Sequence, residues 1–141
     1  MAALLSEADI QRVVRNFYQE VQADDVLAPI FALKIGPEDW HAHMNHIADF
    51  WSSIFLKTGR FKGNPMLKHT ALPGLTPAHF NRWLALFKDV SARTLNPEQA
   101  KAMQAMAENI GQSLQMGLAF NYEKQGDLDH PFKDYGLRRP L

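Results

Sequence analysis

The chain contains 141 residues, a length that suits one domain with a single buried core. Its 15 Lys and Arg residues balance 15 Asp and Glu residues, so the net charge gives no reason to expect a nucleic-acid partner. There is no cysteine, which excludes disulfide bonds, thiolate metal sites and cysteine nucleophiles. Any bound metal ion must therefore have histidine or carboxylate ligands.

The N-terminal segment does not have the features of a secretory signal peptide. Met1 to Leu5 is a short apolar stretch without a positively charged flank. No apolar run in the sequence approaches the length of a membrane span. We therefore expect a cytoplasmic protein with no membrane partner.

The first predicted helix begins at Ser6, where Ser6-Glu7-Ala8-Asp9 resembles a capping box with Asp in place of the usual Glu. Between about Ala23 and Leu33 the signals are mixed, because Asp24-Asp25 suggests a break and Pro29 can begin a helix but not lie within one. This region is predicted to be a bend with one or two short turns. Apolar residues mark the first helix at helical spacing: Ile10, Val13, Val14, Phe17, Tyr18 and Val21.

Gly36-Pro37-Glu38-Asp39 predicts a second helix start, with proline in the first turn and two acids near the positive end of the helix dipole. The apolar spacing that follows predicts a helix to about Leu56. Thr58 to Pro65 contains Gly59, Gly63 and Pro65 and is predicted to be a loop. Met66 to Leu72 can then form at most two helical turns before Pro73-Gly74 ends them.

Two further helix starts are predicted at Thr76-Pro77 and at Asn96-Pro97-Glu98. Apolar stripes follow both of them. From Gln125 the sequence becomes polar and loses its periodicity, so we divide the chain into a domain over 1–124 and a C-terminal tail over 125–141. The predicted fold class is all-α, with four substantial helices.

The six histidines differ in what their neighbours predict. His41, His79 and His130 are expected to be exposed. His43 lies within the apolar stripe of the second helix, where a hydrogen-bonded core histidine and a functional histidine would fit equally well. His43 and His46 have a spacing that could bind a metal ion on one helix face, but no second group of ligands accompanies them.

Three other residues combine polar groups with apolar surroundings. His69 lies between a loop and a helix end, where free backbone carbonyls can bind its second ring nitrogen, as a metal-ligating imidazole requires. Tyr18 and Trp83 each carry a polar hydrogen on a mostly apolar helix face and need a partner if buried. Two interpretations of this pair remain open. The residues either lie in the core and bond to the backbone, or they belong to a functional site.

Several short motifs occur in one order along most of the chain, from about Glu7 to Tyr122. They are Phe17-Tyr18, Pro29-Ile30-Phe31, Trp40-His41-Ala42-His43 with Ile47 and Phe50-Trp51, Pro65-Met66-Leu67-Lys68-His69, and Trp83-Leu84-Ala85-Leu86-Phe87. Their joint order and spacing resemble the truncated haemoglobins, and most closely the third group of that family. The glycine pairs typical of the first two groups are missing, which also favours the third.

The resemblance implies a truncated globin fold, in which a two-over-two helical sandwich encloses haem b. It implies that His69 is the proximal iron ligand. It also implies that Tyr18, His43 and Trp83 face the gas ligand on the distal side, as stabilising or gating residues. It implies that four apolar side chains pack around the porphyrin: Phe31, Ile47, Phe50 and Leu72. It further implies three cationic partners for the propionates: Lys68, His46 and Arg82.

The function implied by this resemblance is reversible binding of diatomic gases, with oxygen, nitric oxide and carbon monoxide as ligands, in the handling of oxygen and nitric oxide. The alternative is a redox enzyme that removes nitric oxide or peroxide. Such an enzyme would need a reductase partner, because ferric haem must be re-reduced between turnovers. A third hypothesis is a haem-free helical domain whose aromatic residues only pack.

Overall fold

The computed structural model describes residues 4–135 of the chain. The predictions for the first three residues and for residues 136–141 of the tail concern positions outside the described residues. Over residues 4–135 no helix is long and apolar enough to cross a membrane. This part of the chain forms no strand and six α-helices, α1 (Glu7–Ala23), α2 (Leu27–Ala32), α3 (Trp40–Phe55), α4 (Pro65–Thr70), α5 (Pro77–Thr94) and α6 (Pro97–Lys124), with 3₁₀ turns at Pro37–Asp39 and Lys133–Tyr135.

The helices begin where the sequence predicts because local side chains satisfy their first backbone N–H groups. At α1 the Ser6 hydroxyl accepts from the Asp9 N–H (3.1 Å) and the Asp9 carboxylate accepts from the Ser6 N–H (2.9 Å). Asn96 and Gln99 form the same reciprocal pair at the start of α6. The predicted starts of these helices are confirmed.

The bend between the first two long helices contains α2, and a carboxylate determines where it begins. Asp24 accepts hydrogen bonds from the backbone N–H groups of Val26 (3.1 Å) and Leu27 (3.0 Å). Pro29 lies in the first turn of α2 rather than ahead of it, so the short helix begins two residues earlier than the proline. A proline is tolerated there because the N–H groups of the first turn have no partner within the helix.

The four long helices form two layers. α1 packs on α3, α5 packs on α6, and α1 also packs across α5. Fully buried residues of α1 meet those of α5 and α6 in the main core: Ile10, Val13, Phe17, Val21, Phe87, Val90 and Met103. The predicted two-over-two sandwich is confirmed, and the short helices α2 and α4 lie beside the space between the layers.

The segment after α6 packs back onto the helices. Gly126 (φ +87°) has the left-handed conformation that ends a helix, and the Asp127 N–H donates to the Tyr122 carbonyl (3.0 Å). The chain then reverses, and the His130 ring stacks on that of Tyr122 at 5.2 Å. Phe132 is 0% exposed and contacts the edge of Phe80. Residues 125–135 therefore contribute to the core, although their sequence has no apolar periodicity.

The expectation that His130 is exposed is wrong, since only 3% of the residue is accessible. Its Nε2 donates to the Glu123 carboxylate (2.8 Å), and its Nδ1 accepts from the Phe132 N–H (3.1 Å). Both ring nitrogens are thus satisfied, which is what allows a histidine to be buried.

Candidate functional site

A cavity of about 720 Å³ lies between the two helix layers. Its volume is in the range of sites for small molecules and cofactors, and its lining is mostly apolar, as such sites usually are. All six helices contribute to the lining. The sequence-predicted residues that the fold brings together here are Tyr18, Phe31, His43, Ile47, Phe50, Lys68, His69, Leu72 and Trp83.

His69 lines one side of the cavity, and the way α4 begins determines how its ring is held. Asn64 caps the helix by accepting from the Leu67 N–H (3.1 Å), and Pro65 occupies the first helical position. His69 lies one turn later, so its Nδ1 reaches the Pro65 carbonyl at 2.7 Å. A carbonyl only accepts hydrogen bonds, so Nδ1 carries the proton and donates it.

The protonation state of His69 follows from its burial. Burial lowers the pKa of the imidazole below its usual value, and the hydrogen bond to Pro65 opposes this effect. The uncharged ring has one proton, and that proton is on Nδ1. Nε2 therefore retains its lone pair, the group with which a histidine binds a metal ion.

Tyr18 and Trp83 form a pair in the cavity wall. Burial raises the pKa of Tyr18, and the neighbouring indole N–H of Trp83 partly opposes this rise. The tyrosine is held in place by edge contacts with Phe17 (4.9 Å) and Phe31 (5.8 Å). The indole N–H of Trp83 can only donate, so the hydroxyl proton of Tyr18 remains available to another acceptor.

His43 lies beside this pair, with its ring edge-on to Tyr18 (5.0 Å) and to Trp40 (5.6 Å). Its Nε2 atom is buried and has no hydrogen-bond partner among the described residues. Such orphaned groups are rare, because leaving a buried donor or acceptor unpaired is costly. The atom is therefore available to a polar group that enters the cavity.

The buried imidazole of His43 predicts that the ligand-free protein loses stability in mild acid. Burial lowers its pKa from 6.5 to about 4, helped by the positive charges of His46 and Lys68. The unfolded chain takes up this proton first, so stability is complete above pH 6.5 and falls as the pH drops towards 4. Because of this histidine, we expect the free energy of unfolding to be about 3 kcal/mol lower at pH 4 than at pH 7.

Urea unfolding of the ligand-free protein between pH 7 and pH 4 measures this loss. His43→Gln should flatten the pH dependence, whereas His41→Gln, on the exposed face of the same helix, should leave it as in the wild type. Identical pH profiles for the wild type and His43→Gln would contradict the prediction.

Two predicted site residues do not line the cavity. The Arg82 guanidinium is bound to Asp24, with 2.7 Å between Nε and the carboxylate, and this pair joins α5 to the start of α2. His46 lies against the Phe61 ring at 4.7 Å. The structure thus gives both side chains partners outside the cavity.

Sequence reasoning missed three polar residues of the lining: Lys34, Asp39 and His79. Lys34 comes only three residues after the Pro29-Ile30-Phe31 motif. This proximity was the one sequence feature that could have placed Lys34 near the cavity. His79 was expected to be exposed, which is wrong. It is half-buried because its Nδ1 accepts from the Thr76 N–H (3.0 Å) at the start of α5.

Within residues 4–135 no group of three or more His, Asp or Glu side chains is arranged to hold a metal ion. His43 and His46, the spacing noted in the sequence, have no third ligand there.

Comparison with known proteins identifies the family. Residues 3–115 match the profile of the bacterial-like globins. The group 3 truncated haemoglobin ctb of Campylobacter jejuni is 31% identical over 113 residues, which cover 79% of this chain and 89% of that protein. The chain belongs to the group III truncated haemoglobins. The crystal structure of the group III truncated haemoglobin from Campylobacter jejuni matches this truncated globin with a TM-score of 0.78 at 31% identity, over 81% of this chain and 91% of that chain.

A group 1 member from a Nostoc species, GlbN, is more distant. It is 29% identical over 102 residues, which cover 72% of this chain and 83% of that protein. Membership of the globin family implies a haem cofactor and a gas ligand. The cavity of this truncated globin fits that group, because it is large and apolar and has a histidine with a free Nε2 on one wall.

Proposed function

We propose that this truncated globin binds haem b in the cavity through Nε2 of His69 and holds a diatomic gas beside Tyr18, His43 and Trp83. The observation that carries the proposal is the 2.7 Å hydrogen bond from His69 Nδ1 to the Pro65 carbonyl. It orients the ring and directs the remaining lone pair to Nε2, the arrangement found around metal-ligating histidines. When bound, haem would supply an iron that can bind a diatomic ligand.

The proposal assigns the opposite wall of the cavity to the gas. The Tyr18 hydroxyl has a proton that Trp83 does not use, and His43 has an unpaired Nε2. Hydrogen bonds from such groups stabilise a ligand that carries partial negative charge. Two donors beside a bound gas slow its release, and slow release suits a reactive role better than transport, so we propose a role in handling oxygen and nitric oxide.

Charged side chains of the lining provide sites for the haem propionates. Lys68 lies next to His69 on α4, and Lys34 follows α2. We propose these two lysines as propionate partners in place of Arg82 and His46, because the latter pair have other contacts.

The direct test of the proposed function is reconstitution of the purified protein with haem b. We expect stoichiometric binding and a ferrous absorption spectrum typical of a histidine-ligated haem, which changes on addition of oxygen, nitric oxide or carbon monoxide. Failure to take up haem, or a spectrum that does not respond to these gases, would refute the proposal.

The influence of the Trp83 indole N–H on the Tyr18 hydroxyl predicts that the two residues act on the gas as a unit. Tyr18→Phe should speed oxygen release about fivefold or more, because one hydrogen bond worth about 1 kcal/mol is lost. Trp83→Phe should also speed release, since it frees the Tyr18 hydroxyl to turn away. The double variant should release oxygen no faster than Tyr18→Phe alone.

Stopped-flow oxygen release measures all three variants. Tyr122→Phe is the control, because this tyrosine packs on His130 outside the cavity lining. Additive effects of the two single substitutions would mean that Tyr18 and Trp83 act on the ligand separately.

A further inference from the structure

The short helix that carries His69 depends on a neighbouring helix for its position. α4 has six residues, fewer than an isolated helix needs to be stable in water. It packs chiefly against α6. The position of the His69 ring in the cavity therefore depends on how α4 is held against α6.

One side chain of α4 occupies a space that a missing side chain leaves on α6. A Cβ atom built at Gly117 would lie 2.1 Å from Cε and 2.4 Å from Sδ of Met66, far inside van der Waals contact. Gly117 is in the interior of α6, where glycine weakens a helix relative to alanine. The packing of Met66 gives this glycine a structural reason.

Met66 is also connected to both the core and His69. It packs against the apolar cluster that contains Phe80 and Leu118. It lies three residues before His69, on neighbouring positions of the same helix surface. Leu67, the next residue, is 66% exposed and contributes little to the docking of α4.

We propose that the contact of Met66 with Gly117 sets the position of His69 in the cavity, so that Gly117 is a positioning residue for the haem ligand. This inference rests on the proposed role of His69. A methyl group at Gly117 either displaces α4 or turns the thioether of Met66 out of its space. The contact is lost in both cases, and His69 is held less firmly.

The test is a double-mutant cycle of Gly117→Ala and Met66→Ala in protein reconstituted with haem b. We expect each single variant to lose haem to an apomyoglobin acceptor about three- to tenfold faster than the wild type. Each should also shift or broaden the iron–histidine stretching band in the ferrous resonance Raman spectrum. The double variant should behave like the single variants, because all three lack the same contact.

Two controls separate this effect from general changes in the helices. Ser113→Ala increases helix propensity at an exposed position of α6, and Leu67→Ala truncates the exposed neighbour of Met66. Both should retain the haem-loss rate and the stretching band of the wild type. If Gly117→Ala does not fold without haem, judged by circular dichroism, Met66→Ala should restore folding because it removes the side chain that clashes with the added methyl group. The double variant should then lose haem at the rate of Met66→Ala, and failure to restore folding would overturn the proposal.

The inference is also overturned if Gly117→Ala retains the wild-type haem-loss rate and stretching band while its melting temperature rises, as expected of a simple gain in helix propensity. It is overturned as well if the effects of Gly117→Ala and Met66→Ala add. These outcomes leave the role of His69 untouched. Replacement of His69 itself tests that role separately.

Discussion

His69→Gly should abolish stable haem binding, and imidazole added to the buffer should restore it. The substitution removes the only side chain that we propose as an iron ligand and leaves a space the size of an imidazole beside the cavity. Free imidazole can then occupy the position of the missing ring, although without the covalent connection to α4. We expect haem to be lost during gel filtration without imidazole, and the absorption spectrum of the histidine-ligated form to return with it.

Leu67→Gly is the matched control for His69→Gly. It introduces the same backbone freedom into α4 at a residue that is 66% exposed, so any loss of haem caused by a weakened helix would appear in it too. We expect this control to keep its haem. An unchanged spectrum and unchanged haem affinity in His69→Gly would show that another residue binds the iron.

Phe132→Ala should destabilise the ligand-free protein by about 3 to 5 kcal/mol, the usual cost of removing a fully buried phenylalanine ring. Phe132 is 0% exposed, and its ring lies 5.9 Å from that of Phe80. Phe80 in turn lies 6.2 Å from the His69 ring, so the residue also supports the side of the cavity where His69 lies. Urea unfolding followed by circular dichroism measures the loss.

Leu128→Ala provides the comparison within the same segment. Leu128 is 63% exposed, and its truncation should change the unfolding free energy by less than about 0.5 kcal/mol. Equal, small effects of Phe132→Ala and Leu128→Ala would mean that the segment after α6 lies loosely on the surface. We expect the large difference because only Phe132 is removed from water.

The helices of the chain could be predicted because their signals are local. Ser6 with Asp9 and Asn96 with Gln99 interact across a single turn, so the residues that start a helix are adjacent in the sequence. The same holds for His69, whose second-nitrogen partner, the Pro65 carbonyl, lies four residues away. A carbonyl left free at the end of the helix was the expected partner, but the structure uses the carbonyl of Pro65, the first residue of α4.

The errors concern residues whose environment is supplied from elsewhere in the fold. His130 looked like a tail residue, but it is buried against Tyr122 and Glu123 after the chain turns at Gly126. The ion pair of Arg82, a candidate partner of the propionates, was likewise not visible in the sequence, because Asp24 is distant along the chain. The pattern of residues within one segment contains no information about a partner that only folding brings close.

The sequence by itself determined the helix starts, the shortness of the segment that carries His69, and the set of polar side chains on apolar stripes. These depend on contacts within about one helical turn, which the order of residues specifies directly. The tertiary structure decided which polar groups meet. It placed Trp83 beside Tyr18, left Nε2 of His43 unpaired, fitted Met66 over Gly117 and buried Phe132, in the segment after α6, against Phe80. Each of these arrangements depends on the packing of segments that are far apart in the chain. Only that packing determines which groups are buried and which hydrogen bonds they can form.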